Sequence, residues 1–192
     1  MDAMAVQIQI ERRKFTVNDY ARMIESGILG EDDRIELIGG EIRQMAPVDS
    51  AHTASVKRLN RLLMEQLGQR FIIGVQDPIR LNELNEPQPD LSILRWHDDF
   101  YEQQHPAPGD VLILIEVANT SLAYDRTEKL PRYAAAGIPE VWLVDVAHRA
   151  VEQYAQPVNG QYTQRAVLSR DMVLQSSAVS DFELDVNRIF GL

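Results

Sequence analysis

The chain has 192 residues, 45% hydrophobic and 25% charged, the balance of one folded globular domain and not of a disordered or fibrous chain. It contains no cysteine, which excludes disulfide scaffolds, thiolate zinc sites, iron–sulfur clusters and cysteine nucleophiles. Acidic residues outnumber basic ones 29 to 19, and the net charge of -10 weighs against non-specific adhesion to nucleic acid.

Met1 to Ile10 alternates polar and apolar residues with no basic flank before an apolar block, so it does not read as a signal peptide. The longest apolar run, Val111 to Ile115, is too short to span a bilayer, and a cytoplasmic location without a membrane partner is expected. Thr16 with Asp19 predicts an N-cap opening a short helix, with Tyr20, Met23 and Ile24 on one face and Gly27 as its stop. Arg34 to Met45 predicts a hairpin turning on Gly39-Gly40, a pair that tolerates positive φ. Ser50 is placed to cap a helix from about His52 to Gln69, whose Val56, Leu59, Leu62, Leu63 and Leu67 recur at helical spacing.

Phe71 to Leu81 reads as a strand in which Pro78 demands an edge, bulge or bend, and Glu83 to Pro89 as a turn-rich connection. Asp90 to Arg95 is a short strand, followed by a polar loop from Trp96 to Gly109. Val111 to Ala118 is apolar on both faces and therefore predicted central. Ser121 to Ala136 predicts a helix that kinks or restarts near Pro131 and stops at Gly137, and Val141 to Val146 another buried strand. From Ala150 onward short strands and a turn of helix near Ile189 are expected. The order helix, three strands, helix, strand defines an α/β (α+β) class with a mixed sheet flanked by helices. One domain over 1–192 is expected, with a core at about 34–147 and a C-terminal β extension at 148–192.

Glu116 is the most informative residue, because it places an ionisable group inside an apolar strand, where a carboxylate needs a cation, metal or proton as partner. The plain alternative is a strand-end glutamate satisfied by a neighbouring arginine or backbone amide. Asp90 alone is an ordinary turn residue; beside Glu116 on a consecutive strand, it makes a carboxylate pair suited to a hard divalent cation such as Mg²⁺. Lys129 is either half of an exposed i, i+4 pair with Asp125 or a cation that the helix folds back onto the carboxylates. Glu36 lies between Ile35 and Leu37 and is either a solvent-facing residue or a site residue, and His52 at a helix start reads as a cap or packing residue before a ligand. No GxGxxG, P-loop, GxSxG or HExxH pattern is present, and four scattered histidines do not suggest a histidine metal cage. At 7% aromatic residues, no stacking platform for single strands stands out.

Pro89-Asp90-Leu-Ser-Ile-Leu, Ile115-Glu116-Val117, Ser121, Asp125-Arg-Thr-Glu-Lys129-Leu-Pro-Arg-Tyr133 and Ala136-Gly-Ile-Pro-Glu-Val-Trp-Leu-Val-Asp145 together resemble the Uma-two family. That family is a branch of the PD-(D/E)XK restriction-endonuclease-like proteins. Glu36-Leu-Ile-Gly-Gly-Glu41 resembles its early hairpin, although an acidic residue usually stands where Gly39 does, and His52 at the helix start fits as well. The resemblance spans about residues 15 to 150 and implies a restriction-endonuclease-like fold with a metal-dependent nuclease site. By that likeness Asp90 and Glu116 hold Mg²⁺ (or Mn²⁺), with the backbone carbonyl of Val117 as a candidate third ligand. Lys129 takes the lysine role, and Glu36 is an outer acid orienting water or a second ion. The implied reaction is phosphodiester hydrolysis by metal-bound water. In the parent superfamily the lysine follows the second acid by two positions, where Ala118 stands here; the family shares the displaced lysine.

Three readings follow: a Mg²⁺-dependent DNA endonuclease acting as a homodimer, a catalytically silent binding module of the same fold, and a hydrolase of another phosphate ester. The joint presence of Glu36, Asp90, Glu116 and Lys129 favours an active site. Residues 51 to 81 carry Lys57, Arg58, Arg61, Arg70 and Arg80 against Glu65 and Asp77, and Arg126, Lys129 and Arg132 flank the site. With the acidic total, this predicts weak, salt-sensitive affinity for nucleic acid.

Overall fold

In a computed structural model, residues 12–30 and 32–192 are described, so the reading of Met1 to Ile10 lies outside the described residues. The first helix, α1 (Val17–Glu25), starts at Thr16, whose side chain accepts from the Asp19 N–H while the Asp19 carboxylate returns to the Thr16 N–H, a reciprocal capping box. Strands β1 (Ile35–Ile38) and β2 (Glu41–Gln44) form the hairpin, with Gly39 and Gly40 at φ 60° and 76°. Period-2 alternation turns Ile35, Leu37 and Ile42 toward Val17 and Tyr20 of α1. Helix α2 (Ser50–Leu67) buries the expected Val56, Leu59, Leu62, Leu63 and Leu67. Its cap is Asp49, not Ser50: the Asp49 carboxylate accepts the His52 N–H at 2.8 Å, and Ser50 is the first helical residue.

A six-stranded sheet in the order β3-β4-β5-β6-β7-β8 is the centre of the fold. Only the β5–β6 pair is parallel; the other four are antiparallel. The first strand, β3 (Ile72–Val75), is an edge strand and shorter than expected, because the chain leaves the ladder at Gln76, φ 56°, before reaching Pro78. Next come β4 (Leu91–Leu94) and β5 (Val111–Ala118), the latter buried at all eight positions and central as predicted. The parallel step to β6 (Glu140–Asp145) requires a crossover, and residues 122–135 supply it.

That crossover is wound in three ways: α3 (Leu122–Tyr124), a π turn (Asp125–Lys129) and α4 (Leu130–Ala135). The Leu130 N–H bonds to the Asp125 carbonyl, five residues back, and Pro131 sits in the first turn of α4, where it has no N–H to lose. The restart expected near Pro131 is therefore a widened turn. Helix α2 packs on one sheet face against Ile113, Ile115 and Val117, and Tyr133 of α4 on the other against Leu114 and Leu143.

Past Asp145 the chain forms β7 (Ala150–Val158) and β8 (Gln161–Leu168), strands of nine and eight residues and not short ones, which continue the same sheet. Then β9 (Val173–Gln175), β10 (Glu183–Asp185) and α5 (Val186–Phe190) fold back on the α2 face. Glu140 anchors this return. Its fully buried carboxylate accepts from Trp142 Nε1, Gln153 Nε2, the Ser176 and Ser177 hydroxyls, and the Ser177 and Ala178 N–H groups, at 2.6–3.1 Å.

A glutamine there turns an NH₂ group on donors of which only Gln153 Nε2 and the Ala178 N–H have a second acceptor. We expect Glu140→Gln to lower the unfolding free energy by about 3 kcal/mol in urea titrations, with β9, β10 and α5 losing amide-exchange protection first.

Candidate active site

Strands β4 and β5 run antiparallel with Leu91 opposite Ile115, so the register carries Asp90 opposite Glu116. The Val117 N–H donates to Asp90 Oδ2 at 2.8 Å, which fixes that carboxylate against the end of β5. On Asp90's other oxygen, His52 Nε2 lies 3.1 Å from Oδ1. Glu116 points to the sheet face covered by the crossover, and the crossover meets it with two side chains one helical turn apart. Lys129 Nζ donates to both Glu116 oxygens at 3.2 and 3.3 Å, and the Tyr133 hydroxyl donates to Oε1 at 2.5 Å.

The hairpin supplies the fourth group. Because Ile35 and Leu37 face α1, the alternate residue Glu36 faces the sheet, and its Oε2 stands 3.0 Å from Lys129 Nζ. Glu36 also accepts from the Gln88 N–H at 3.2 Å and the Tyr124 hydroxyl at 3.3 Å. Its 3% exposure rules out the solvent-facing alternative, and Lys129 at 5% is no exposed partner of Asp125. Glu36, Asp90, Glu116, Val117 and Lys129 all line one cleft of about 290 Å³.

Burial is the main reason Glu116 ionises well above the usual carboxylate range; Asp125, Asp90 and Glu36 add to the shift and Lys129 opposes it. Burial alone would depress Lys129, but Glu116, Glu36 and Asp125 together outweigh it and hold the ammonium charged. Asp125, read from sequence only as an ion-pair partner, also lines the cleft, bonded by the Ser121 hydroxyl at 2.9 Å. Burial first, then Asp90 and Glu36, push its pKa up to about 6 against Lys129 and Ser121. His52, set aside as a cap or packing residue, is a cleft residue whose pKa is raised chiefly by its bond to Asp90. Helical spacing from Lys129 is the signal that could have found Tyr133; His52 is marked only by its fit to the family's helix start, and nothing local marks Tyr124.

The donors gathered here are hard oxygens: two carboxylates and the main chain of Val117. Among the described residues no group of three or more acidic or histidine side chains encloses a metal by itself.

The molecule is an α/β protein whose mixed sheet opposes acids on two neighbouring strands and meets them with a lysine from the crossover. The sequence model of the Uma2 (Uma-two) family, described as a putative restriction endonuclease, matches residues 17–187, and the chain belongs to that family. A crystal structure described as a putative nuclease belonging to DUF820, from Anabaena variabilis ATCC 29413, superposes with a TM-score of 0.71. It is 16% identical and the match covers 92% of this chain and 98% of that one, a likeness of fold. No curated protein matches the chain.

Removing the ammonium leaves two buried carboxylates facing each other. We expect Lys129→Met to cost about 3–5 kcal/mol of stability at pH 8 in denaturant titrations. Adding Glu116→Gln should recover part of that loss, and a purely additive double variant would contradict the coupling.

Asp125 gives a pH signature. A carboxylate whose folded pKa is raised binds its proton more tightly in the folded state, so its contribution to stability falls as pH climbs from about 4 to about 6 and is flat above. In EDTA, the stability of wild type relative to Asp125→Asn should therefore drop by about 3 kcal/mol over that window.

Proposed function

We propose that the chain is a Mg²⁺-dependent DNA endonuclease, with Mn²⁺ able to substitute. What carries this reading is the meeting of Asp90, Glu116 and Lys129 in one cleft, from two strands and a crossover turn. Asp90, Glu116 and the Val117 carbonyl would hold the ion. Bound there, the cation supplies screening of phosphate charge and a more acidic water for attack on phosphorus.

The remaining steps belong to the chain's own groups. His52 and the Val117 N–H pin the Asp90 carboxylate, and Tyr133 and Lys129 pin that of Glu116, so both acids are oriented before substrate arrives. Lys129, kept charged by its acidic neighbours, is a donor for a phosphoryl oxygen in the crowded transition state. Glu36 orients that ammonium and takes part in aligning water. The cleft is small for a duplex, and we extend the proposal to a homodimer in which each copy cuts one strand.

Asp90→Asn and Glu116→Gln should each lower Mg²⁺-dependent cleavage of plasmid DNA by roughly 100-fold or more, with the circular dichroism spectrum unchanged. Cleavage that survives both substitutions would overturn the assignment. Hydrolysis of small phosphate esters without DNA cleavage would point to the other hydrolase, and neither activity to a silent binding module.

A further inference from the structure

Four of the eight cations expected to attract nucleic acid are occupied within the fold, among them all three that flank the site. Arg126 is bonded to Glu152 through both Nε and a terminal nitrogen, Arg132 to the carbonyl and carboxylate of Glu128, and Arg61 to Glu65. Lys129 is buried between Glu36 and Glu116. Two arginines on the cleft wall remain, and both come from the hairpin: Arg34 and Arg43.

Their placement follows from the strand period. Arg34 is two residues before Glu36, and Arg43 is paired directly opposite Glu36 across the hairpin, so all three share the face turned from α1. Arg34 acts electrostatically on His52, on the Asp90 side of the cleft, and Arg43 on Tyr124, on the Glu36 side. Neither guanidinium is fully used. No side chain among the described residues pairs with that of Arg34, and Arg43 gives one terminal nitrogen to Glu41 at 2.6 Å while its Nε is buried without a partner.

Against them, five carboxylates line the same cleft: Glu36, Asp49, Asp90, Glu116 and Asp125. A phosphodiester entering this cleft meets a mostly negative wall, offset only by Lys129, already shared between Glu36 and Glu116, and by the two hairpin arginines. We infer that Arg34 and Arg43 form a phosphate-binding subsite that grips the nucleic-acid backbone on either side of the phosphodiester presented to Asp90 and Glu116. The inference rests on the nuclease reading and assigns the hairpin as the arm that positions the substrate. The planar guanidinium fork matches phosphate oxygens, and each contact releases condensed counterions from the nucleic acid.

The test is fluorescence anisotropy of a labelled short DNA duplex, with Ca²⁺ in place of Mg²⁺ so that binding is read apart from cutting. Arg34→Ala and Arg43→Ala should each weaken binding about tenfold and flatten the slope of log affinity against log salt by about 1, and the double variant by about 2. Arg95→Ala, which removes an equal charge at the far end of β4, should change neither. Arg43→Lys should restore the slope while recovering only part of the affinity, because charge is kept and the fork is lost. If wild type binds and cuts DNA while both alanine variants keep its affinity and slope, the subsite is wrong and the nuclease reading stands. If Arg43→Lys fails to restore the slope, Arg43 is structural and the phosphate contact is refuted. If wild type neither binds nor cuts nucleic acid, both readings fall together.

Discussion

The buried ammonium of Lys129 between Glu36 and Glu116 is the interaction on which the rest of this molecule turns. Two carboxylates at 3% exposure are untenable together in a protein interior unless a positive charge stands between them. The three charges come from three separate layers: the hairpin, the central strand and the crossover. Apolar packing alone holds these layers through distinct clusters, α1 with the hairpin, α2 with one sheet face and α4 with the other. The ion pairs tie them at one point, and the cleft opens there.

The lysine's displacement from the strand has a geometric explanation. A lysine two residues after Glu116 would lie on the same sheet face as Glu116, because strand side chains alternate. Here that position is Ala118, wholly buried, and the ammonium instead descends onto the same face from the helix that covers it. The route works because the crossover between two parallel neighbours must pack over the strand it leaves. The π turn places Asp125 and Lys129 in the cleft at its two ends, and α4 then presents Tyr133 to the same glutamate.

Legibility in the sequence tracked how locally each feature is encoded. Strands β4, β5 and β6 are mainly apolar runs, and Glu116 announces itself as a charge inside the longest of them. Asp90 was legible because its strand precedes that of Glu116 and the two pair. By contrast β8, exposed at most positions, has no alternation to read, and its length follows from pairing with β7. The π turn is a compromise between helix continuity and Pro131 that no periodicity reveals. Glu140 sits in a motif noticed only for its resemblance; its six donors come partly from residues 176–178, distant in sequence and invisible until the chain has folded. Glu36 is ambiguous in the sequence because alternation says that it opposes Leu37, but not that the far side of the hairpin is another buried wall.

The net charge of -10 is the feature most easily misread, since it sums charges that the fold keeps apart. Screening confines each surface charge to about 8–10 Å at ordinary salt, so a ligand entering the cleft responds to the wall around it and not to the total. That wall is locally acidic even with Arg34, Arg43 and Lys129 counted. Counted at full charge the cleft is negative without a cation, and on the proposed reading a divalent ion held by Asp90 and Glu116 would neutralise that excess where the scissile group sits. On the proposed reading, metal and nucleic acid therefore bind with positive coupling, each raising the other's affinity by the same factor. The acidity that first argued against a nucleic-acid partner becomes the means by which such binding is made conditional on the metal.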